Sequence, residues 1–200
     1  MRRRPPLATV ERPPLRPLDT TIRDIRIRRA LRHVPVGAVV LDIGCDDGAL
    51  FVAAGGSIQE GVGVDPTLLC SSEAGRVRFI ADSFPTGELA ASDGAFDAIT
   101  LLAVLEHVPL ERLPSWRDEC TRLLKKGGVV VATVPSPRVD RILHVLMRMK
   151  LIAGMSLHEH HGLDQTRIPE IFTEGAFEEI ARERFELGLN HLYAFRKRAA

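Results

Sequence analysis

Three aspartates, each closing a short apolar run, are the residues of this chain best placed to do chemistry. Asp42 follows Val39-Val40-Leu41, Asp65 follows the run Gly61 to Val64, and Asp82 follows the run Val77 to Ile80. In an open α/β sheet, ligands bind outside the carboxyl ends of the strands, where such acids would sit. The first run opens into a turn with Gly44 and Gly48. Glycine accepts positive φ and lets a ligand lie against bare backbone. A helix after such a turn aims free N–H groups at the same place. An acid closing the second run can take the two hydroxyls of a ribose. An acid closing the third, with Ser83 beside it, can bond an adenine amino group. A carboxylate beside the glycine turn suits an amino-acid ammonium. A nucleoside joined to an amino acid fits all three places.

The elements that must position these acids alternate between strand and helix, which predicts βαβ units and a parallel sheet. Strands are predicted at Val39–Ile43, Gly61–Val64, Val77–Ile80, Phe96–Leu102 and Val129–Val134. Helices are predicted at Ala49–Ala54, Ser115–Leu124 and Gln165–Thr173, and a basic, broadly apolar one over 138–153. Residues 67–75 are poor in helix signal, so that crossover reads as trimmed. Two closing strands, near Arg184–Leu187 and Leu192–Phe195, are close enough to form an antiparallel pair. Ahead of all this, Thr20 or Thr21 caps a predicted helix running to His33.

The 200 residues suit one domain with an arm. Residues 1–18, rich in arginine and proline, are expected to be disordered or extended, and 19–200 to form a single domain with a lid-like insert near 138–160. Formal net charge is +1, but residues 1–32 hold ten arginines against three acids, +7, which leaves −6 for the remainder. A basic arm can hold phosphate or an anionic membrane, or remain a solvated arm. No run is long and apolar enough to span a bilayer. Cys45, Cys70 and Cys120 share no close spacing and read as free thiols, consistent with a cytoplasmic location.

The turn and the acids together make the chain resemble the class I S-adenosylmethionine-dependent methyltransferases, from about Leu31 to Arg196. The family carries D-x-G-x-G-x-G at the first turn; here Asp42, Gly44 and Gly48 match, and Asp46 replaces the middle glycine. The segments Phe96 to Pro109 (FDAITLLAVLEHVP) and Leu123 to Pro135 (LLKKGGVVVATVP) are similar to the fourth strand with its loop and to the fifth strand of the small-molecule branch. The resemblance implies a Rossmann-like, doubly wound, mostly parallel seven-stranded sheet with an antiparallel final strand and helices on both faces. It implies S-adenosylmethionine as cofactor, with S-adenosylhomocysteine as product. Its contacts would be Asp42, Gly44, Cys45, Asp46, Gly48, Asp65, Asp82, Ser83 and Ala103.

Methyl transfer is an in-line displacement that asks the protein to align nucleophile, methyl and sulfur and to exclude water. Histidine suits a general base at neutral pH. Glu106-His107 after the fourth strand and His161 after the fifth are the candidates, with loop shaping as the alternative role for the first pair. His158 and His160 read as solvated. Glu106, His107 and a later histidine also resemble metal ligands of other methyltransferases, but those carry a glutamate where this chain has Ala103, and no metal is expected. HEHH at 158–161 is not the zinc-protease motif, because Gly162 stands where the second histidine belongs. The helix over 138–153 could be a lid over an apolar acceptor, a peripheral membrane contact, or core packing. Low aromatic content and the lack of an Asn/Asp-Pro-Pro-aromatic loop argue against DNA-base methylation. A nicotinamide dehydrogenase is excluded, since G-x-G-x-x-G is absent after the first strand. The leading reading is methylation of a small-molecule acceptor at oxygen, nitrogen or carbon. The alternatives are an RNA methyltransferase anchored by the arginine arm, a nucleic-acid partner being the less favoured one, or a catalytically silent cofactor-binding domain. The oligomeric state is not legible.

Overall fold

The computed structural model describes residues 6–10, 17–90, 92–136 and 167–199. The helix expected over 138–153, the lid-like insert near 138–160 and His158, His160 and His161 lie outside the described residues. In chain order the elements are α1 (Pro17–Ala30), β1 (Ala38–Ile43), α2 (Ala49–Ala54), β2 (Ile58–Val64), β3 (Ser72–Ala74), β4 (Val77–Ile80), β5 (Phe96–Leu102), α3 (Leu113–Leu123), β6 (Leu124–Pro135), α4 (Arg167–Thr173), β7 (Phe177–Phe185) and β8 (Asn190–Lys197). Short 3₁₀ turns join several of them, including Leu105–His107.

One sheet holds all eight strands in the order β3-β4-β2-β1-β5-β6-β8-β7. Strands β4, β2, β1, β5 and β6 pair in parallel, and β8 runs antiparallel to both β6 and β7. The strand order reverses between β1 and β5, which makes a switch-point crevice at their carboxyl ends. This is the Rossmann-like, doubly wound arrangement expected, with one addition. The trimmed crossover contains β3, a three-residue strand antiparallel to β4. Its sequence, Ser72-Glu73-Ala74, has neither β-branched nor aromatic residues, so no strand signal was present.

Two apolar clusters lie on opposite faces. Leu41, Ile43, Ile80, Ile99 and Val130 pack with Trp116 and Cys120 of α3 and Phe172 of α4. Val40, Phe79, Ala98 and Val131 pack with Ile27 and Ala30 of α1 and Leu50 and Phe51 of α2. Alternation along a strand sends neighbours to opposite faces, so Asp42 shares the α1/α2 face with Val40. At the amino ends, Asp97 accepts bonds from the Val39 N–H (2.8 Å) and Lys125 Nζ (2.8 Å). Burial would raise its pKa, but the Lys125 and Val39 bonds outweigh it and hold the carboxyl below its usual range. This acid latches the sheet at the end away from the switch point.

Several boundaries differ from expectation; β2, β6 and β8 run longer than their apolar cores. Helix α1 begins at Pro17, because proline fits a first helical position. Thr21 Oγ1 bonds back to the Pro17 carbonyl (2.9 Å) instead of capping. Strand β7 runs from Phe177 to Phe185, and residues 186–188 form the turn that was expected to end a strand. As an edge strand it is buried only at Phe177 and Phe185 and carries charges on both faces in between (Glu179, Arg182, Glu183, Arg184), which hides it from apolar patterning. Finally, residues 6–10 of the arm are extended and placed against the body: Val10 bridges Leu68, and the Leu69 N–H bonds to the Thr9 carbonyl (3.1 Å). No described helix is long and apolar enough to cross a membrane.

Phe79 is fully buried, meets Phe51 edge-on at 5.9 Å, and lies directly under Gly48. Phe79→Ala is expected to cost about 3–5 kcal/mol, since the rigid sheet and the turn above it cannot collapse into the void. Urea unfolding of both proteins checks this; a loss below about 1 kcal/mol would mean that the turn relaxes into the space.

Candidate functional site

The turn after β1 is held from three sides. The Gly44 N–H bonds to the Val64 carbonyl (2.8 Å), the Gly48 N–H to the Cys45 carbonyl (3.0 Å), and the Asp46 N–H to Asp65 Oδ2 (2.9 Å). Gly44 has φ +75°, and a Cβ there would stand 2.4 Å from Val104 Cγ2. Gly48 has φ +78°, and its Cβ would meet the Phe79 ring at 2.8 Å. Both positions therefore need glycine for conformation and for space. Asp46, standing where the resemblance expects glycine, has φ +49°. Aspartate is among the side chains that tolerate this region, so the backbone path of the turn is kept.

Asp42 is 3% exposed, and the β1–β5 register sets Thr100 beside it. Thr100 Oγ1 donates to Asp42 Oδ1 at 2.6 Å. Burial pushes the Asp42 pKa up to about 7; the Thr100 bond opposes this, and the charges of Asp65 and Asp46 add to it. Asp42, Asp46 and Asp65 thus share one electrostatic neighbourhood. Asp65, also buried, accepts from the Thr67 N–H (2.8 Å) and Thr67 Oγ1 (2.7 Å) on Oδ1, besides the Asp46 N–H on Oδ2. A carboxylate has about four lone-pair sites, so one acceptor position is left for a ligand hydroxyl. Asp82 stands apart, exposed at the rim beyond β4. It accepts from Thr86 Oγ1 (2.5 Å) and the Ser83 N–H (2.7 Å), and these bonds hold its pKa below the usual range.

The Cys45 side chain is buried beneath the turn, where a Cβ on Gly63 would come within 2.7 Å of Sγ. Burial and the nearby Asp42 and Asp65 charges drive its thiol pKa strongly up. Cys45 can meet a ligand through its backbone, not as a thiolate. Ala103 leaves β5 at φ +60°, with its N–H bonded to the Thr133 carbonyl (2.9 Å). Glu106 and His107 follow in the 3₁₀ turn, at the carboxyl edge of β5. Glu106 is 7% exposed, and burial pushes its pKa up to about 7, opposed by its own backbone N–H and by Arg26. Among the described residues no cluster of three His, Cys, Asp or Glu side chains has the spacing of a metal site.

Several contributors escaped the sequence reading. Arg23 of α1 reaches Asp46 Oδ2 (3.3 Å) and Asp47 Oδ1 (2.9 Å), drawing the odd aspartate toward the helix. Arginine content alone could not single it out among ten. Thr100 had a signal, a hydroxyl inside the apolar strand Phe96–Leu102. The arm contributes as well: the Leu7 and Ala8 N–H groups bond to the Asp47 carbonyl (3.0 and 3.3 Å).

Comparisons with known proteins bear on the family and the fold. A family model described as a methyltransferase domain matches residues 16–187. The ubiquinone biosynthesis O-methyltransferase of Xylella fastidiosa is 33% identical over a match covering 60% of this chain and 52% of that protein. The chain thus spans about half the length of that relative. The enzyme of the same name from Vibrio campbellii is 26% identical, covering 77% and 73%. Among solved structures, the N-methyltransferase NodS of Bradyrhizobium japonicum bound to S-adenosylhomocysteine has a TM-score of 0.59 at 19% identity, covering 91% of this chain and 88% of that one. A SAM-dependent methyltransferase from Archaeoglobus fulgidus has a TM-score of 0.64 at 17% identity, covering 88% and 94%.

The raised pKa of Asp42 carries a stability signature. The folded state holds a proton that the unfolded chain releases near 3.8, so stability is full below that value and falls as pH rises toward about 7. Glu106 adds a loss of the same sign. Asp42→Asn should remove its share, up to about 4 kcal/mol, and be the more stable protein at pH 8. Urea unfolding at pH 5 and pH 8 measures this; equal slopes for both proteins would show that Asp42 is ionised throughout.

Proposed function

The chain belongs to the methyltransferase-domain family, and from that premise we propose that it is an S-adenosylmethionine-dependent methyltransferase that methylates a small molecule on a hydroxyl oxygen. The observation that supports the cofactor's position is the pair of buried carboxylates Asp42 and Asp65, with half-buried Asp46 beside them, around a turn whose glycines a Cβ would block. Arg23 pairs with Asp46 and Asp47, whereas Asp42 and Asp65 accept from the neutral donors Thr100, Thr67 and the Asp46 N–H. That surplus of negative charge suits a donor with an ammonium and a sulfonium. When bound, S-adenosylmethionine supplies an electrophilic methyl group with a neutral thioether as its leaving group.

The residues divide the work. Asp42 faces the ammonium end, Asp65 takes ribose hydroxyls on its remaining acceptor position, and Asp82 with Ser83 closes the adenine side. The backbone of Gly44, Cys45, Asp46 and Gly48 lies along the amino-acid part. Ala103 leaves room where β5 meets the reacting centre. Glu106 and His107 hang over the acceptor side, and either can take the hydroxyl proton as the O–C bond forms. His161, outside the described residues, is the further candidate base.

Oxygen as the methylated atom is supported by the names of the curated relatives. The RNA reading is weakened because the basic surplus is partly consumed within the fold. Arg23 pairs with Asp46 and Asp47, and Arg29 with Glu183. A silent domain is disfavoured by the glycine-like φ of Asp46. The three free cysteines suit a reducing, cytoplasmic setting.

Two measurements test this reading. Asp65→Ala should weaken S-adenosylhomocysteine binding by about 1–3 kcal/mol in calorimetry, through unpaired ribose hydroxyls; an unchanged titration would remove Asp65 from the ribose. Once a metabolite screen with labelled methyl groups has supplied an acceptor, His107→Ala should lower kcat by about 10²-fold and leave cofactor affinity intact. A loss of cofactor affinity with kcat retained would reassign His107 to shaping the loop.

A further inference from the structure

The carboxyl edge of β5 and β6 holds a second group of buried charges, away from the three aspartates. Glu106 comes from the turn after β5, Arg26 from α1, and Glu186 from the turn between β7 and β8. Pairing of Asn190 with Pro135 brings that last turn to the carboxyl end of β6. The charges of Glu106 and Glu186 both act on Arg26. Arg26 Nη2 lies 3.4 Å from Asn190 Oδ1, and Asn190 Nδ2 in turn donates to Glu186 Oε2.

Three polar atoms of this group are left without partners. Glu106 Oε2, Arg26 Nε and Glu186 Oε1 are sealed from solvent and have no hydrogen-bond partner among the described residues. The stem of Arg26 is partly exposed, but Nε is not. Buried groups without partners cost free energy, and proteins retain few of them. The acid at the other end of the sheet behaves differently: both oxygens of Asp97 are bonded. The supporting turn is strained too. Glu186 and Leu187 have φ +52° and +57°, which non-glycine residues adopt at a cost. Such strain gathers at ligand sites.

We propose that Arg26, Glu106 and Glu186 form the niche that recognises the polar head of the methyl acceptor, and that it selects a neutral head with adjacent hydrogen-bond donors over an anionic one. The open valences are one donor, Arg26 Nε–H, and two acceptors, Glu106 Oε2 and Glu186 Oε1. A head offering two O–H or N–H groups and one lone pair satisfies all three. A carboxylate head would bring a further negative charge into a niche where burial already disfavours the charged forms of Glu106 and Glu186. Burial, which favours neutral over charged forms, sharpens the discrimination. The proposal rests on the small-molecule reading of the same crevice and gives that acceptor its chemical class. Arg26 and Glu186 are recognition residues, with no part in proton transfer.

The test uses the full-length chain saturated with S-adenosylhomocysteine and two isosteric probes, salicylamide and salicylate, titrated by calorimetry or ligand-observed NMR. The wild type should bind salicylamide about tenfold more tightly than salicylate, because like charges in one site repel. Glu186→Gln should tighten salicylate about tenfold and narrow the ratio. Glu106→Gln should act in the same direction, which keeps the test open if the first variant folds poorly by circular dichroism. Equal binding of both probes, binding of neither, or a ratio unmoved by both variants would overturn the niche. Absence of S-adenosylhomocysteine binding in the same samples would instead overturn the cofactor site, so the two failures are distinct.

Discussion

A carboxylate buried at the end of a central strand is the constraint around which this fold is arranged. Asp42 cannot reach water, and its neighbours Asp65 and Asp46 make ionisation harder still. The fold answers with one hydroxyl, from Thr100, and that hydroxyl is available because the parallel register of β1 and β5 sets the two residues side by side. The same register brings Val104 against Gly44, which fixes the turn. Strand order, turn conformation and charge state are therefore coupled: a slip of one residue between β1 and β5 would undo all three.

The charge asymmetry of the sequence finds its meaning inside the molecule. A segment with a surplus of positive charge is followed by a body with a deficit, and part of the first folds onto the second. Arg23 spans Asp46 and Asp47; Arg29 pairs with Glu183 and lies over the Phe185 ring at 5.1 Å; His33 meets Glu183 at 3.0 Å. Burial would raise the Glu183 pKa, but the His33 and Arg29 bonds prevail and hold it below the usual range. Helix α1 so connects the turn after β1, through Arg23, with the β7 edge strand, through Arg29. Arg26, between them in sequence, reaches Asn190 at the start of β8.

Much of this could be read from residues alone, for a physical reason. Strands β1, β4 and β5 are buried runs bounded by acids or glycines, and their ends were legible to within a residue. The placing of Asp42 followed from the end of β1, and that of Asp65 from the carboxyl end of β2, Val64, which was also legible. Asp82 was harder: its distance from the others depends on the Ser83–Thr86 loop, whose bonds are set by three-dimensional contact. Strand β3 has no side-chain signal, and β7 carries the charges of an edge, so periodicity could not reveal either. Arg23, Arg26 and Glu186 act across 24 to 164 residues of chain. Such pairings exist only once the sheet order is known, which explains why the carboxyl end of β5 and β6 was the least legible part.

The seating of residues 6–10 has a consequence for biosynthesis. Their partners are the Asp47 carbonyl, Leu68 and the Leu69 N–H. This segment leaves the ribosome before its partners do and must wait until about sixty more residues have emerged before it can dock, in a process that otherwise runs from the amino terminus onward. Leu7, Ala8 and Val10 stay uncovered in every shorter nascent chain, and a bulky fusion placed just ahead of them would compete with that late docking step.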